Sequence, residues 1–338
     1  MIKETLFPEF ERELRLDQLG DVLQKLEKNI NFNKISQKID AAAPRHATTG
    51  RPPFPTELMV RVLTIQHLFN LSDDQLEFQL LDRLSFQRFV GLRRSSQIPD
   101  SKTIWFFRER LITAGAEKVI FEAVIQQLNA QGFIARNGQM IDASLVEAPR
   151  QKISKTEKEV IKKGVIPEDW NEAKIKQKDI DASWVTKRQR HYFGYKLTVN
   201  VDNRYKFIRS IMVSSASPHD THFMESVIDY NTSQDIYADS GYTDSKREER
   251  LSQKGYRVHI LRKATKNKPL SEQQKKRNTR IAKVRARVEH PFAALTQMGG
   301  KTVRSIGLAR VKLGLYCKVA CYNMKRLCSL KTATIIPF

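Results

Sequence analysis

The sequence lacks several features that identify other classes of protein. No apolar run approaches the roughly 18 residues of a membrane-spanning helix, and no early stretch has the apolar centre of a signal peptide. With only 14 glycines and 12 prolines in 338 residues, the composition is neither collagen-like nor disordered. The cysteines, Cys317, Cys321 and Cys328, have the spacing of one helix face, so we interpret them as reduced core residues rather than metal ligands. These absences leave a globular, cytoplasmic protein without a membrane partner as the expectation.

Acidic residues are also scarce relative to basic ones. The chain has 37 Asp and Glu against 59 Lys and Arg, which gives a net charge of +22. A charge excess of this size creates a field that attracts polyanions. Nucleic acid is therefore the partner that the composition favours, and a membrane surface is the alternative.

The first 55 residues are expected to form a helical segment followed by an arm. Apolar residues at helical spacing predict one amphipathic helix from Leu16 to Ile30, within a segment 1–40 that either packs in the domain or forms a dimer seam. Prolines make 41–55 a linker. Its Gly-Arg-Pro, centred on Arg51, resembles arms that insert arginine into the DNA minor groove, and a plain loop is the alternative.

Residues 56–132 show several short helical patterns separated by turns. One helix is predicted from Thr56 to Phe69, and Ser72 with Gln75 forms a capping-box pattern that begins the next. A later helix carries Lys102 and Arg108. The pattern fits an all-α DNA-binding region of helix-turn-helix type, and equally an ordinary helical bundle with solvated charges.

From residue 133 to 338 the apolar period changes from about 3.6 to 2, which predicts an α/β domain. A helix is expected from Thr221 to Tyr230, and basic insertions are expected at 150–190, without a core strand, and at 262–287. The interpretation is a mixed five-stranded sheet with flanking helices. The predicted strands are Gln139–Val146, His191–Val201, Tyr205–Ser214, Asp235–Ala238 and Tyr256–Leu261.

Three carboxylates occupy positions where this topology brings chain segments together. Asp142 lies in the first strand, Asp239 ends the fourth, and Glu289 lies on a helix after the sheet. In a ribonuclease-H-like topology the first and fourth strands are neighbours. Carboxylates at such a short distance repel one another unless a cation is present. Mg²⁺ prefers oxygen ligands. Taken singly, each of the three is more typical of a helix cap or a turn.

The sequence resembles the DDE transposases of bacterial insertion sequences, specifically the insertion-sequence-five family, over nearly its whole length. The individual motifs are short, but their order and spacing are specific. They are Gly50 to Pro55, Phe69 to Asp73, Pro99 to Ile104 with Phe107-Arg108, Asp142-Ala143-Ser144, Glu147 to Pro149, His191 to Lys196, His219-Asp220, Ala238 to Tyr242, and Arg285 to Phe292.

The resemblance implies a metal-dependent recombinase with an RNase-H-like catalytic domain behind the all-α region. Such an enzyme binds the inverted repeats of its element, cleaves there and joins the 3′ ends to target DNA, and we expect it to act as a homodimer on double-stranded DNA. Asp142, Asp239 and Glu289 carry over as ligands of two Mg²⁺ ions, with Mn²⁺ able to substitute. The rivals are a nuclease that does not join strands and a domesticated copy that only binds DNA.

Two signature positions near the glutamate compare differently with the family. The arginine four positions before Glu289 is matched by Arg285, but the lysine often found seven positions after it is replaced by Thr296. The phosphate contact usually assigned to that lysine is then absent or supplied from elsewhere, for which Lys301 is the candidate.

Further residues are assigned to DNA contact or to positioning a ligand. His219 and His290 are expected beside the carboxylates, where a purely structural role is the alternative for each, and Trp184 either stacks on a splayed base or anchors its loop. The expected DNA contacts are Arg51, Lys102, Arg108, Lys196, Lys275, Lys276, Arg277, Arg285 and Arg287.

Overall fold

A computed structural model describes residues 6–45, 52–92, 95, 97–135, 137–187, 189–230, 233–264, 269–333 and 335. The chain divides into two units. One unit comprises residues 1–134 together with 316–338, and the other comprises residues 135–315. Among the described helices, none is both long enough and apolar enough to cross a bilayer.

The first unit is helical, as predicted for the N-terminal region. Its helices are α1 (Pro8–Leu19), α2 (Val22–Asn29), α3 (Phe32–Ala42), α4 (Thr56–Phe69), α5 (Asp73–Asp82), α6 (Leu84–Val90), α7 (Ser101–Thr113) and α8 (Val119–Ala130). The capping box predicted at Ser72 and Gln75 is confirmed at the start of α5. Asp100 caps α7 by accepting a hydrogen bond from the Thr103 N–H at 2.6 Å, which satisfies a donor that has no partner within the helix.

The prediction of one helix from Leu16 to Ile30 is wrong, because the chain breaks at Gly20. This glycine has φ +93 and ends α1 in the left-handed conformation that glycine adopts without steric cost. Asp21 then begins α2 by accepting a hydrogen bond from the Leu23 N–H at 2.9 Å. Both helices present apolar residues at compatible spacing, so the periodicity alone could not reveal the break.

The last helix, α14 (Leu308–Thr332), begins in the second unit and ends in the first. It carries Cys317, Cys321 and Cys328, which are buried and form no disulfide. Burial raises the pKa of the Cys317 thiol to about 12, so this side chain is a neutral, apolar group near neutral pH.

The second unit is built on a mixed sheet with flanking helices. Its strands are β1 (Gln139–Glu147), β2 (Ser183–Lys187), β3 (Arg190–Asp202), β4 (Ile208–Ser215), β5 (Asp235–Ala238) and β6 (Arg257–Ile260). The strand order is β2-β3-β1-β5-β6, and β4 also pairs with β3. Strands β1, β5 and β6 are parallel to one another, whereas β3 is antiparallel to β1, β2 and β4. The neighbouring strands β1 and β5 lie inside the sheet, with paired strands on both sides.

The sheet has six strands, not the five predicted. Five lie where alternation indicated them, and the sixth, β2, lies inside the segment 150–190 that was expected to be irregular. This segment also forms α9 (Lys155–Lys162) and α10 (Glu172–Gln177). Strand β2 was missed because it is short and half-exposed, with an apolar content too low to distinguish it from a loop.

The remaining helices of this unit follow the strands. They are α11 (Ser245–Gln253), α12 (Glu272–Arg285) and α13 (Glu289–Gln297). The helix predicted from Thr221 to Tyr230 is wrong, because two short 3-10 helices, Asp220–Phe223 and Glu225–Val227, lie there instead. A buried apolar cluster joins the central strands to α11 and these turns through Ile141, Met224, Val227, Ile236, Ala238, Leu251 and Ile260.

Gly194 allows an unusually close approach between β3 and the end of β1. Its φ is +151, and a Cβ atom at this position would lie 2.2 Å from the Val146 carbonyl oxygen and 2.7 Å from the Ala148 nitrogen. Real Cβ atoms do not approach backbone this closely, so only glycine fits without moving one of the two strands. The position of β1 against β3 therefore depends on this residue.

Replacing Gly194 with alanine should destabilise the protein by more than about 2 kcal/mol, because the new methyl group overlaps backbone that cannot rotate away. The urea midpoint of unfolding, followed by tryptophan fluorescence, measures the change. Gly241→Ala is the matched control, since a Cβ there meets nothing within 4 Å, and it should shift the midpoint little. Equal midpoints for the two variants would contradict the close approach.

Candidate active site

Two aspartates lie at the same level on neighbouring parallel strands. The register of β1 against β5 pairs Met140 with Tyr237, and two residues further along each chain are Asp142 and Asp239. Side chains alternate along a strand, so Asp142 lies on the same face of the sheet as Met140. Asp239 directly follows the last residue of β5, at the carboxyl edge where side chains of parallel strands meet.

Backbone hydrogen bonds hold both carboxylates. The Ala143 N–H donates to Asp142 Oδ1 at 2.8 Å, and the Ser240 N–H donates to Asp239 Oδ1 at 2.6 Å. The second bond also caps a short 3-10 helix, Ser240–Tyr242, which turns the chain away from the sheet. Both side chains are thereby fixed in orientation before any other group approaches.

The guanidinium of Arg285 lies between the two aspartates. This last residue of α12 places Nη2 at 3.2 Å from Asp142 Oδ2 and Nη1 at 3.6 Å from Asp239 Oδ1. The Arg285 side chain is only 15% exposed. One buried cation thus offsets the repulsion between two neighbouring carboxylates, and it ties α12 to the central strands of the sheet.

Glu289 reaches the same region from the helical side. A 3-10 turn, Ala286–Val288, joins α12 to α13, and Glu289 is the first residue of α13. The Glu289 side chain is exposed, whereas Val288 and Phe292 beside it are buried and anchor the helix. The backbone at Glu289 is therefore anchored by its buried neighbours.

The charges of the other two carboxylates act on Asp142. Burial raises the pKa of Asp142 above its usual range, and the charges of Asp239 and Glu289 act in the same direction. The Arg285 guanidinium and the Ala143 N–H act in the opposite direction without cancelling the effect of burial. Asp142 is thus a carboxylate that gains from any further cation.

The donor set of this site consists of carboxylate oxygens, which suits Mg²⁺ or Mn²⁺ and not a soft metal. Within the described ranges, no three His, Cys, Asp or Glu side chains lie close enough to enclose a metal ion. Asp142 and Asp239 instead share Arg285, and Glu289 interacts with Asp142 through its charge. The structure brings the three residues to one place without closing them into a cage.

Lys196, expected to contact DNA, lies on the opposite face of the sheet from Asp142. It pairs with Leu145 in the β1–β3 register, whereas Asp142 pairs with Val199. Lys196 is only 7% exposed, and its Nζ lies 2.6 Å from Asp220 Oδ1. In this arrangement the ammonium serves an internal ion pair.

In the helical unit, Arg108 also has internal partners. Its two terminal nitrogens donate to Asp73 Oδ1 and Oδ2 at 2.5 and 2.6 Å, and it donates to Gln66 at 2.9 Å. This pair joins α7 to the start of α5 and the end of α4. Lys102, six residues earlier on α7, is exposed. Arg51 lies outside the described residues.

The basic segment before Glu289 contains both exposed and engaged side chains. Lys275 and Lys276 are exposed on α12, and Lys275 pairs with Glu272 at 2.8 Å. Arg277 is partly buried and donates to the Ile260 carbonyl at 2.8 Å, and burial lowers its pKa. Arg287 is exposed and donates to Asn203 Oδ1 at 2.8 Å. Lys275, Lys276 and Arg287 are therefore the accessible members of this set.

The two histidines assigned to the site have different settings. His219 caps the first short 3-10 helix, where its Nδ1 lies 2.9 Å from Thr221 Oγ1. His290 is exposed on α13, next to Glu289. The geometry gives His219 a capping role and leaves His290 accessible beside the carboxylates.

Two residues near the carboxylates were not assigned from the sequence. Ser144 lies two residues after Asp142, so strand alternation puts it on the same face, and this was the available signal. Tyr242 is 2% exposed, and its hydroxyl is buried without a hydrogen-bond partner among the described residues. Burial first, and then the charge of Asp142, raises the pKa of Tyr242, which keeps the phenol neutral beside the site.

Three matches connect this chain with known proteins. A family model described as "Transposase DDE domain" matches residues 135–324, and one described as "Transposase domain (DUF772)" matches residues 10–110. Among solved structures, a cryo-EM structure of the piggyBac transposase synaptic complex with hairpin DNA is similar at a TM-score of 0.46 and 14% identity. That alignment covers 93% of this chain and 76% of the other.

Asp142→Asn should stabilise the metal-free protein at pH 7, measured as the urea midpoint in EDTA. The folded pKa of Asp142 lies above its unfolded value, so the folded state loses stability as pH rises through that window. A neutral amide avoids this loss, and the gain should vanish below a pH of about 4.

Asp235→Asn is the control of opposite sign. Hydrogen bonding to Arg257 lowers the pKa of Asp235 to about 2. Its charge therefore stabilises the fold above the unfolded pKa, and that stability is lost as pH falls toward about 2. The amide should lower the midpoint at pH 7. A decrease for both variants would contradict the raised pKa of the buried Asp142.

Proposed function

Because this chain belongs to the Transposase DDE domain family, we propose that it is the transposase of a bacterial insertion sequence of the insertion-sequence-five type. It binds the terminal inverted repeats of its element, cleaves the element ends and joins the 3′ ends to target DNA. The observation that carries this proposal is the pairing of Asp142 and Asp239 with Arg285, at a site where the charge of Glu289 also acts on Asp142. This is an acidic site within a chain whose net charge is +22.

Asp142, Asp239 and Glu289 would hold the divalent metal ions, for which we expect two Mg²⁺ per site with Mn²⁺ able to substitute. When bound, such ions activate an attacking oxygen and stabilise the leaving oxygen of a phosphodiester. The chain itself holds the aspartates in register on β1 and β5 and supplies Arg285 between them. Because metal ions and Arg285 would compete for the same oxygens, we expect Arg285 to turn toward DNA phosphate when the metal binds.

The fold supports an RNase-H-like catalytic domain beginning near residue 133. With β2 set aside as an insertion, the strand order is β4-β3-β1-β5-β6, which places the first strand next to the fourth of the five. The helical region 56–132 would bind the element ends, and the exposed lysines of α12 would follow the DNA backbone. Of the described residues that were expected to contact DNA, Lys102, Lys275, Lys276 and Arg287 are exposed and require least rearrangement.

Double-stranded DNA is the proposed partner, and a homodimer the proposed assembly, since two element ends must be held together. Exposed apolar side chains on α1 support a helical seam between two copies: Phe10 is 61% exposed and Leu14 is 48% exposed. Such side chains cost free energy in water and gain it when a second copy covers them. The expected place of action is the bacterial cytoplasm, at the nucleoid.

Asp142→Asn, Asp239→Asn and Glu289→Gln should each reduce cleavage and joining by on the order of 10³-fold or more, because removing one member of a cooperating set disables the set. Labelled end DNA with Mg²⁺ reports both products, and a mobility-shift assay should show that DNA binding is retained. Full cleavage by all three variants would remove the assignment. Cutting without joined product would identify a nuclease, and binding without cutting by the unaltered protein would identify a regulator.

Replacing Lys275 and Lys276 with alanine should weaken binding to unrelated DNA sequences and reduce the salt slope by about 1.8, at roughly 0.9 for each phosphate that the protein no longer neutralises. The double variant Lys246→Ala and Lys254→Ala is the matched control, because both lysines are exposed at α11 and the net charge changes equally. Titrations at several salt concentrations give the slopes. Equal slopes for the two double variants would place α12 away from DNA.

A further inference from the structure

Lys301 is fixed by its backbone at the end of β1. Its carbonyl accepts a hydrogen bond from the Glu147 N–H at 2.8 Å, and the Val303 N–H donates to the Glu147 carbonyl at 2.9 Å. The preceding Gly300 makes a tight turn in which a Cβ would lie 2.8 Å from the Leu295 carbonyl oxygen. The segment after α13 is thus held against the strand that carries Asp142.

The side chain of Lys301 extends along the same face as Asp142. Its ammonium donates to the hydroxyl of Ser144, which lies two residues after Asp142 on β1. The same nitrogen lies 5.6 Å from the centre of the Phe292 ring on α13. Lys301 is exposed as a residue, so it bridges β1 and α13 while remaining accessible to a ligand.

The charges around this ammonium do not neutralise it. Burial and then the nearby ammonium of Lys187 lower the pKa of Lys301, whereas Glu289 and Asp142 act in the opposite direction from a distance. In the described part of the chain, the hydrogen-bond partner of the ammonium is the neutral Ser144. The ammonium of Lys301 thus has a second lysine among its charged neighbours, and a bound anion would stabilise this arrangement.

The helix α13 carries no lysine or arginine, and the position seven residues after Glu289 is Thr296. Thr296 is exposed, and its hydroxyl donates to the Phe292 carbonyl at 2.7 Å within the helix. The segment that follows α13 carries a cation, Lys301, which interacts electrostatically with Glu289 and Asp142.

We propose that Lys301 binds a non-bridging oxygen of the scissile phosphate, with Ser144 positioning its ammonium. This inference rests on the proposed function, since it concerns the DNA held at the same carboxylates. The alternative is a purely structural lysine that only ties the segment after α13 to β1.

The two roles can be separated by the affinity for end DNA whose scissile phosphate is replaced by a neutral methylphosphonate. On unmodified DNA in EDTA, Lys301→Ala should weaken binding about 3- to 10-fold, because a charge-assisted hydrogen bond is removed. On methylphosphonate DNA the same variant should bind like the unaltered protein, since the partner oxygen's charge is already gone. Lys301→Arg should retain most of the affinity, and Lys254→Ala should behave alike on both DNAs.

Equal losses of affinity for Lys301→Ala on both DNAs would overturn the proposal, as would a weakening that appears only with a lowered urea midpoint. A methylphosphonate placed one nucleotide away should leave the effect of Lys301→Ala intact, and a transfer of the effect to that position would reassign the contact. Cleavage of unmodified end DNA by the unaltered protein distinguishes failure of the Lys301 proposal from failure of the proposed function. If the unaltered protein cleaves end DNA but Lys301→Ala loses the same affinity on both DNAs, only the role of Lys301 fails. If the unaltered protein cleaves no end DNA, the proposed function fails.

Discussion

The arrangement of the second unit depends on two aspartates that parallel pairing places side by side and on the one guanidinium between them. Register between β1 and β5 puts Asp142 level with Asp239, where two negative charges would repel. Arg285 contacts both, and because it ends α12, the same contact fixes where α13 and Glu289 begin. A single charge interaction therefore couples the sheet edge to the helical wall of the site.

The basic residues of this region differ in whether they have internal partners. The segment from Arg262 to Arg287 holds eleven basic residues and one acid, Glu272, yet its members do different things. Arg285 is drawn inward by two carboxylates, and Arg277 by a backbone carbonyl. Lys275 and Lys276 stay exposed. The internal partners of each side chain, and not the number of basic residues in the segment, therefore decide which side chains are available to a polyanion.

Several elements could be predicted because their signal is local. The alternation of apolar and polar residues predicted five strands. Ser72 with Gln75 predicted a helix start, which the structure confirms. The helix break at Gly20 and the strand β2 were missed because their patterns are compatible with more than one conformation. Lys196 and Arg108 were assigned to DNA because a basic residue in a sequence shows its charge but not its partner. Their partners, Asp220 and Asp73, are distant in sequence.

The sequence by itself determined the helical character of the N-terminal region and the positions of five strands, because these rest on residue type and spacing. The three carboxylates were candidates that the family resemblance named. Only the tertiary structure decided that Arg285 lies between two of them, that Lys196 faces away from them and that Lys301 faces toward them. The physical reason is that each of these facts depends on register, strand face and turn geometry. A shift of one residue along β1 would move Asp142 to the other side of the sheet.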